Sequence, residues 1–116
     1  MNPFRLNLHL LTMPFMLSLP MKLFGLDPQI LKLVEEMAEL TTALLHYRKR
    51  KCSIKDVQEE FADVLNMLAQ VVPEFDAREI EAIRMYKMHR FVRDHFDQLK
   101  DLVVPVLEKE GNAISG

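Results

Sequence analysis

Cysteine occurs once and glycine three times in these 116 residues, and neither scarcity is neutral. A lone Cys52 cannot close an internal disulfide, so a disulfide-framed scaffold is excluded and a reducing, cytoplasmic setting is expected. So few glycines, beside 49% apolar residues, argue against a disordered or linker-rich chain and for one domain with a modest core. A basic excess is also missing. The net charge of −2 lacks the electrostatic footprint of a nucleic-acid binder, so a polyanionic partner would need a local site.

Long uninterrupted apolar runs are lacking too. The most apolar stretch, Leu6 to Met21, comes after a single Arg5 and superficially copies a secretory signal. It is broken by His9, Pro14 and Pro20, is followed by no small-residue cleavage site, and falls short of the ~20 residues a membrane span needs. It reads as an irregular apolar arm, residues 1–26, packed on the domain or on a partner subunit. No membrane partner is expected.

The remainder has helical periodicity and no strand-like alternation. Asp27 before Pro28 is the best helix-start signal, an N-cap followed by the first helical residue. A first helix is expected to about Lys51, with Ile30, Val34, Met37, Leu44 and Leu45 as its apolar positions. Its basic end, Arg48 to Lys51, suits the helix dipole. Ser53 can cap a second helix with Asp56 returning the bond, ending before Pro73. Its expected buried stripe is Val57, Phe61, Val64, Leu65, Leu68 and Val71. Asp76 can cap a third helix continuing past Phe91, and Pro105 should kink or break the segment that contains it. The fold class is therefore all-α, an antiparallel bundle of about four helices over residues 27–110, with a frayed tail at 111–116.

Chemistry enters with two pairs of acids. Residues three apart on a helix project roughly 60° from one another, one turn along the axis, so Glu36 with Glu39 can reach one ion. Glu60 with Asp63 repeats that geometry on the next helix, and a short connection makes the helices antiparallel neighbours whose pairs can converge. Glu60 falls inside the apolar arc of its helix, between Met67 and Val71, whereas Glu59 faces the polar side. Residues four positions after the acids are Leu40, Ala43, Val64 and Met67, so the basic partners expected of an ordinary solvated face are poor on that side. Four convergent carboxylates ionise together only if cations neutralise them, and all-oxygen ligation suits Mg²⁺ or Mn²⁺ rather than Zn²⁺. A di-iron carboxylate bundle needs Glu-x-x-His, which occurs nowhere in the chain.

The run Glu35-Glu36-Met37-Ala38-Glu39, then twenty residues, then Glu60-Phe61-Ala62-Asp63, resembles the EExxE…ExxD signature of MazG-like proteins, in the all-α nucleoside triphosphate pyrophosphohydrolase superfamily. The resemblance covers Leu31 to about Arg93. It implies Glu36, Glu39, Glu60 and Asp63 as Mg²⁺ ligands, with Glu35 orienting or deprotonating water. The implied reaction is attack of water at the α-phosphorus of a nucleoside triphosphate, releasing a nucleoside monophosphate and pyrophosphate in nucleotide-pool control or house-cleaning.

On the third helix, Arg84, Lys87 and Arg90 recur every three residues. The resemblance implies Lys87 and Arg90, and with less support Arg84, as counter-charges for the phosphates, although Met88 and His89 interrupt the family's Lys-Asn-x-x-Arg pattern. Surface pairing with Glu79, Glu81 and Asp94 is the alternative. His46, His89 and His95 lack metal-ligand spacing and read as surface or interface residues. Phe15, Phe24, Tyr47 and Phe61 are the candidates for stacking on a base. Phe24-Gly25-Leu26 also resembles a segment of related proteins, which favours an arm covering the nucleoside.

Two other activities stay open: a phosphoribosyl-ATP pyrophosphohydrolase, and a non-catalytic helical module that binds a metal or a basic protein through its acidic seam. A bundle this small leaves apolar helix surface to cover, so a homodimer or a dimer of dimers is expected.

Overall fold

The computed structural model describes residues 6–115, with side-chain surroundings through residue 111. All regular structure in this range is helical, in five α-helices, α1 (Met13–Phe24), α2 (Leu26–Arg48), α3 (Ile54–Val71), α4 (Ala77–Asp94) and α5 (Phe96–Ser115), with short 3₁₀ turns at Leu8–Leu10 and Val72–Glu74. The chain divides into two compact units, Met1–Ala77 and Arg78–Gly116. No helix among the described residues is long and apolar enough to cross a membrane.

In the first unit α3 packs along α2, and α1 lies against both. Near the start of α2, Gln29 donates from Nε2 to Gln70 Oε1 near the end of α3, at 2.6 Å. At the other end, Cys52 Sγ donates to the carbonyl of Ala43 at 3.4 Å. The two helices therefore run antiparallel, as the short connection between them predicts.

That connection is built from local signals. Lys51 N–H bonds His46 O at 2.8 Å and Arg50 N–H bonds Tyr47 O at 2.9 Å, the paired bonds of a Schellman ending. Arg50 takes the left-handed position usually given to glycine, at φ 58°. A side chain there costs about 1 kcal/mol, so these bonds hold a mildly strained turn. Ser53 then starts α3 with a complete capping box: its hydroxyl accepts from Asp56 N–H at 3.1 Å and its own N–H bonds Asp56 Oδ2 at 2.9 Å. The bond from the Ser53 N–H holds the Asp56 carboxyl below its ordinary value. Its contribution to folding is thus present above the usual aspartate range and lost as pH falls through the lowered value.

Several expectations need correction. The N-terminal arm is not irregular over 13–24. Thr12 caps α1 by accepting from Phe15 N–H at 3.3 Å, and Pro14 falls in the first turn, where its missing N–H costs nothing. Pro20 sits inside this helix. α2 begins one residue before Asp27, because Gly25 at φ 84° turns the chain directly out of α1 and caps α2. Only a residue tolerant of positive φ suits that junction. α5 passes through Pro105 and continues to Ser115, past the expected fraying at Gly111. α2 ends at Arg48, α3 ends ahead of Pro73, and α4 starts directly after Asp76.

The core of the first unit comes mainly from α3: Val57, Val64, Met67 and Val71 are its buried apolar residues. Phe61 and Leu65, expected beside them, are 44% and 63% exposed. At ~100° per residue they lie about 80° and 120° around the helix from Val71, beyond the stripe that α2 and α1 cover. Met67, about 40° to the other side of Val71, is buried instead.

On α2 the difference is larger. Val34, Met37, Leu44 and Leu45 are exposed, Ile30 is half-buried, and the buried residues are Gln29 and Glu36. The face of α2 turned to α3 runs through Gln29, Leu33, Glu36, Leu40 and Ala43, at helical spacing. Its most buried members are polar.

Candidate functional site

Glu36 and Glu39 on α2 meet Glu60 and Asp63 on α3. One carboxylate oxygen from each lies within 4.8 Å of the other three. Glu36 is buried, Glu60 half-buried, and Glu39 and Asp63 are exposed. The two i,i+3 pairs thus converge across the seam between the antiparallel helices, with one deep acid in each pair.

The arrangement is incomplete as a set of hydrogen bonds. Oε2 of Glu36 and Oε2 of Glu60 are both shut off from solvent and have no hydrogen-bond partner. A buried carboxylate oxygen without a donor is costly, and ionised acids in contact repel each other. Among the described residues, the only cation paired with any of the four acids is Lys32, one turn before Glu36. Its Nζ lies 3.1 Å from Glu36 Oε1 and 3.5 Å from Glu35 Oε1. Its ammonium is held above its ordinary value, first by the hydrogen bond to Glu36 and then by the charges of Glu35 and Glu36. Lys32 is half exposed, so water screens this pair.

The strain shows on Glu39. The charge of Glu36 comes first, followed by partial desolvation, in raising its carboxyl above the ordinary glutamate range. A carboxylate raised on folding favours the folded chain at acid pH, and that contribution is lost as pH rises through the raised value. At neutral pH the charge on Glu39 therefore works against folding.

The group consists of four carboxylates, with no thiolate or imidazole, an all-oxygen donor set that could hold a hard metal ion. The two orphaned oxygens are the observation that such an ion would satisfy.

Beside the acids lies a cleft of about 550 Å³, lined by Glu35, Glu39 and Glu60 and, beyond them, by side chains that include Thr42, His46, Cys52 and Asp56. Sequence reasoning missed this cleft. Its signal was present, since Glu35, Glu39, Thr42 and His46 succeed one another at spacings of four, three and four on one face, and Asp56 precedes Glu60 by four. Glu35 is exposed, lines the cleft and is in reach of Lys32. None of Phe15, Phe24, Tyr47 and Phe61 lines this cleft. Phe24 instead borders a cavity of about 480 Å³ with Gln29, Lys32 and Gln70.

Arg84, Lys87 and Arg90 belong to the second unit and are all exposed on α4. Arg84 pairs with Glu81, the Arg90 guanidinium stands 5.9 Å from the Tyr86 ring centroid, and Arg93 bonds its neighbour Asp94 at 3.2 Å. Arg84 thus has an acidic partner on its own helix, while Lys87 has no ion pair among the described residues. His95 packs on Phe91 with ring centroids 4.4 Å apart. Comparison with protein-family models, with curated proteins and with solved structures finds no match.

Proposed function

We propose that this chain is a Mg²⁺-dependent nucleoside triphosphate pyrophosphohydrolase of the MazG-like kind, with Mn²⁺ as the alternative ion. The observation that carries the reading is the convergence of Glu36, Glu39, Glu60 and Asp63 with two buried oxygens left without donors. When bound, a hard divalent ion would lower the pKa of water and neutralise charge on phosphoryl oxygens. The chain itself contributes orientation. Glu36 and Glu60 would supply the deeper oxygens, Glu39 and Asp63 the exposed ones, and Glu35, which lines the cleft, would position or deprotonate water.

In the proposed reaction the water oxygen bonds to the α-phosphorus as the bond to the β-phosphate bridging oxygen breaks. Pyrophosphate leaves with that electron pair, and the proton from water passes to a carboxylate or to solvent. By the resemblance alone, Lys87 and Arg90 on α4, and with less support Arg84, would serve as counter-charges for phosphate. Phosphoribosyl-ATP hydrolysis and a purely metal- or protein-binding module remain the competing readings; the orphaned oxygens beside an open cleft favour an enzyme.

The test is a panel of common and modified nucleoside triphosphates, with phosphoribosyl-ATP included, assayed for pyrophosphate and for phosphate. Pyrophosphate should appear with Mg²⁺ or Mn²⁺ and vanish with chelator. Its absence across the panel would overturn the enzymatic reading in favour of the binding module.

Self-association as a homodimer or dimer of dimers is part of the same proposal. Val34, Met37, Leu44 and Leu45 on α2 and Phe61 and Leu65 on α3 are each at least 40% exposed, an apolar surface that a second copy would cover. Sedimentation of the whole chain at micromolar concentration should give two or four copies, and a monomer mass would remove this part.

A further inference from the structure

We propose that the cleft beside the carboxylates seats the nucleoside half of the nucleotide, and that His46 is the side chain that reads it. The inference rests on the reaction proposed above and assigns the part of the substrate that reaction leaves unplaced.

The volume of about 550 Å³ falls in the range of small-ligand sites, ~300–1,000 Å³. The cleft shares Glu39 and Glu60 with the acidic cluster, so a ligand anchored there through its phosphates would extend directly into it. One wall of the cleft is kept low by Ala38 and Ala43. Room is thereby left for a flat ring rather than filled by side chains.

Beyond the acids, the polar side chains of the lining are mostly engaged already. Thr42 Oγ1 donates to the carbonyl of Ala38 at 3.1 Å, Cys52 Sγ donates to that of Ala43, and Asp56 Oδ2 accepts from Ser53. His46 is different: it lines the cleft, is exposed, and makes no side-chain hydrogen bond or ion pair among the described residues. Its ring can donate or accept toward a base or sugar, and can also lie against a base face. With no Phe or Tyr among the described residues that line the cleft, His46 supplies the ring there.

Cys52, the chain's single thiol, lines the same cleft and is half-buried, which makes it a reporter of occupancy. The experiment monitors its alkylation by a small maleimide in the full chain with Mg²⁺. The probes are α,β-imido analogues of the common nucleoside triphosphates, which resist cleavage, and tripolyphosphate, which has no nucleoside. At least one analogue should slow alkylation at least about fivefold, and tripolyphosphate should not. In His46→Ala, protection should need about tenfold more analogue, as expected for one lost ligand hydrogen bond, with His46→Asn intermediate and Mn²⁺ affinity unchanged. Equal protection by tripolyphosphate, absence of protection by every analogue, or an unaltered His46→Ala titration would overturn the assignment. Protection without pyrophosphate release would instead overturn the enzymatic reading and leave a nucleotide-binding cleft.

Discussion

Mg²⁺ or Mn²⁺ at about a hundred times its dissociation constant should raise the unfolding free energy of the wild-type chain by about 2.7 kcal/mol, and Glu36→Gln should remove nearly all of that gain. The reason lies in the metal-free seam. Glu36 is the most buried of the four acids at 6% exposure; one of its oxygens meets Lys32 and the other meets no donor. Its charge is also the leading cause of the raised Glu39 carboxyl. An ion entering the cluster would satisfy the orphaned oxygens and relieve this repulsion, whereas the unfolded chain has no preformed site for it.

Glutamine keeps the size of the side chain and removes its charge. In metal-free buffer Glu36→Gln should therefore be at least as stable as wild type, since the lost pair with half-exposed Lys32 is worth ~0–1 kcal/mol. Urea unfolding at several Mg²⁺ concentrations reads both effects. A variant that is less stable without metal and still shifts fully with it would show that Glu36 is structural rather than a ligand.

The second large effect is catalytic. Glu60→Gln should lower pyrophosphate release at saturating nucleotide by more than about 100-fold, because even residues that merely support metal ligands are worth about 10–100-fold. Glu60 sits in the apolar arc of α3 with a buried oxygen that has no partner, so the isosteric amide leaves packing intact while removing an anionic donor. Asp63→Asn should act in the same direction. Glu59→Gln, one residue away and exposed, is the matched control and should leave the rate unchanged. If Glu60→Gln retained activity within about threefold of wild type, less than the loss of even a supporting residue, with an unaltered helical spectrum, the cluster would not be the reaction centre.

The features legible in the sequence were mostly local. The capping box of Ser53 and Asp56 needs only four consecutive residues, and the carboxylate pairs need only one helical turn, so both were visible. Their meeting required one further step, two helices joined by a short antiparallel connection. Faces were harder. Periodicity showed that α2 has apolar residues, but not that its line toward α3 would be Gln29 and Glu36, because which stripe is covered depends on the neighbour. Proline misled in the arm, where α1 carries Pro20 inside it, and Pro105 does not break α5; the loss of one backbone bond is outweighed by the surrounding turns. The cleft escaped because Thr42, His46 and Cys52 are ordinary singly and acquire meaning only beside Glu39 and Glu60. The bond cleaved was suggested by resemblance to MazG-like proteins, not by spacing.

The bond between Gln29 and Gln70 bears on ion selection. It ties the start of α2 to the end of α3, while the Arg50 turn and the Ser53 box tie the opposite ends. Sliding by a single turn, ~5.4 Å, would carry Glu60 and Asp63 past Glu36 and Glu39. Anchored at both extremities, the helices work as a caliper whose opening is set outside its jaws. The gap among the four acids is thereby fixed by residues outside the acidic cluster.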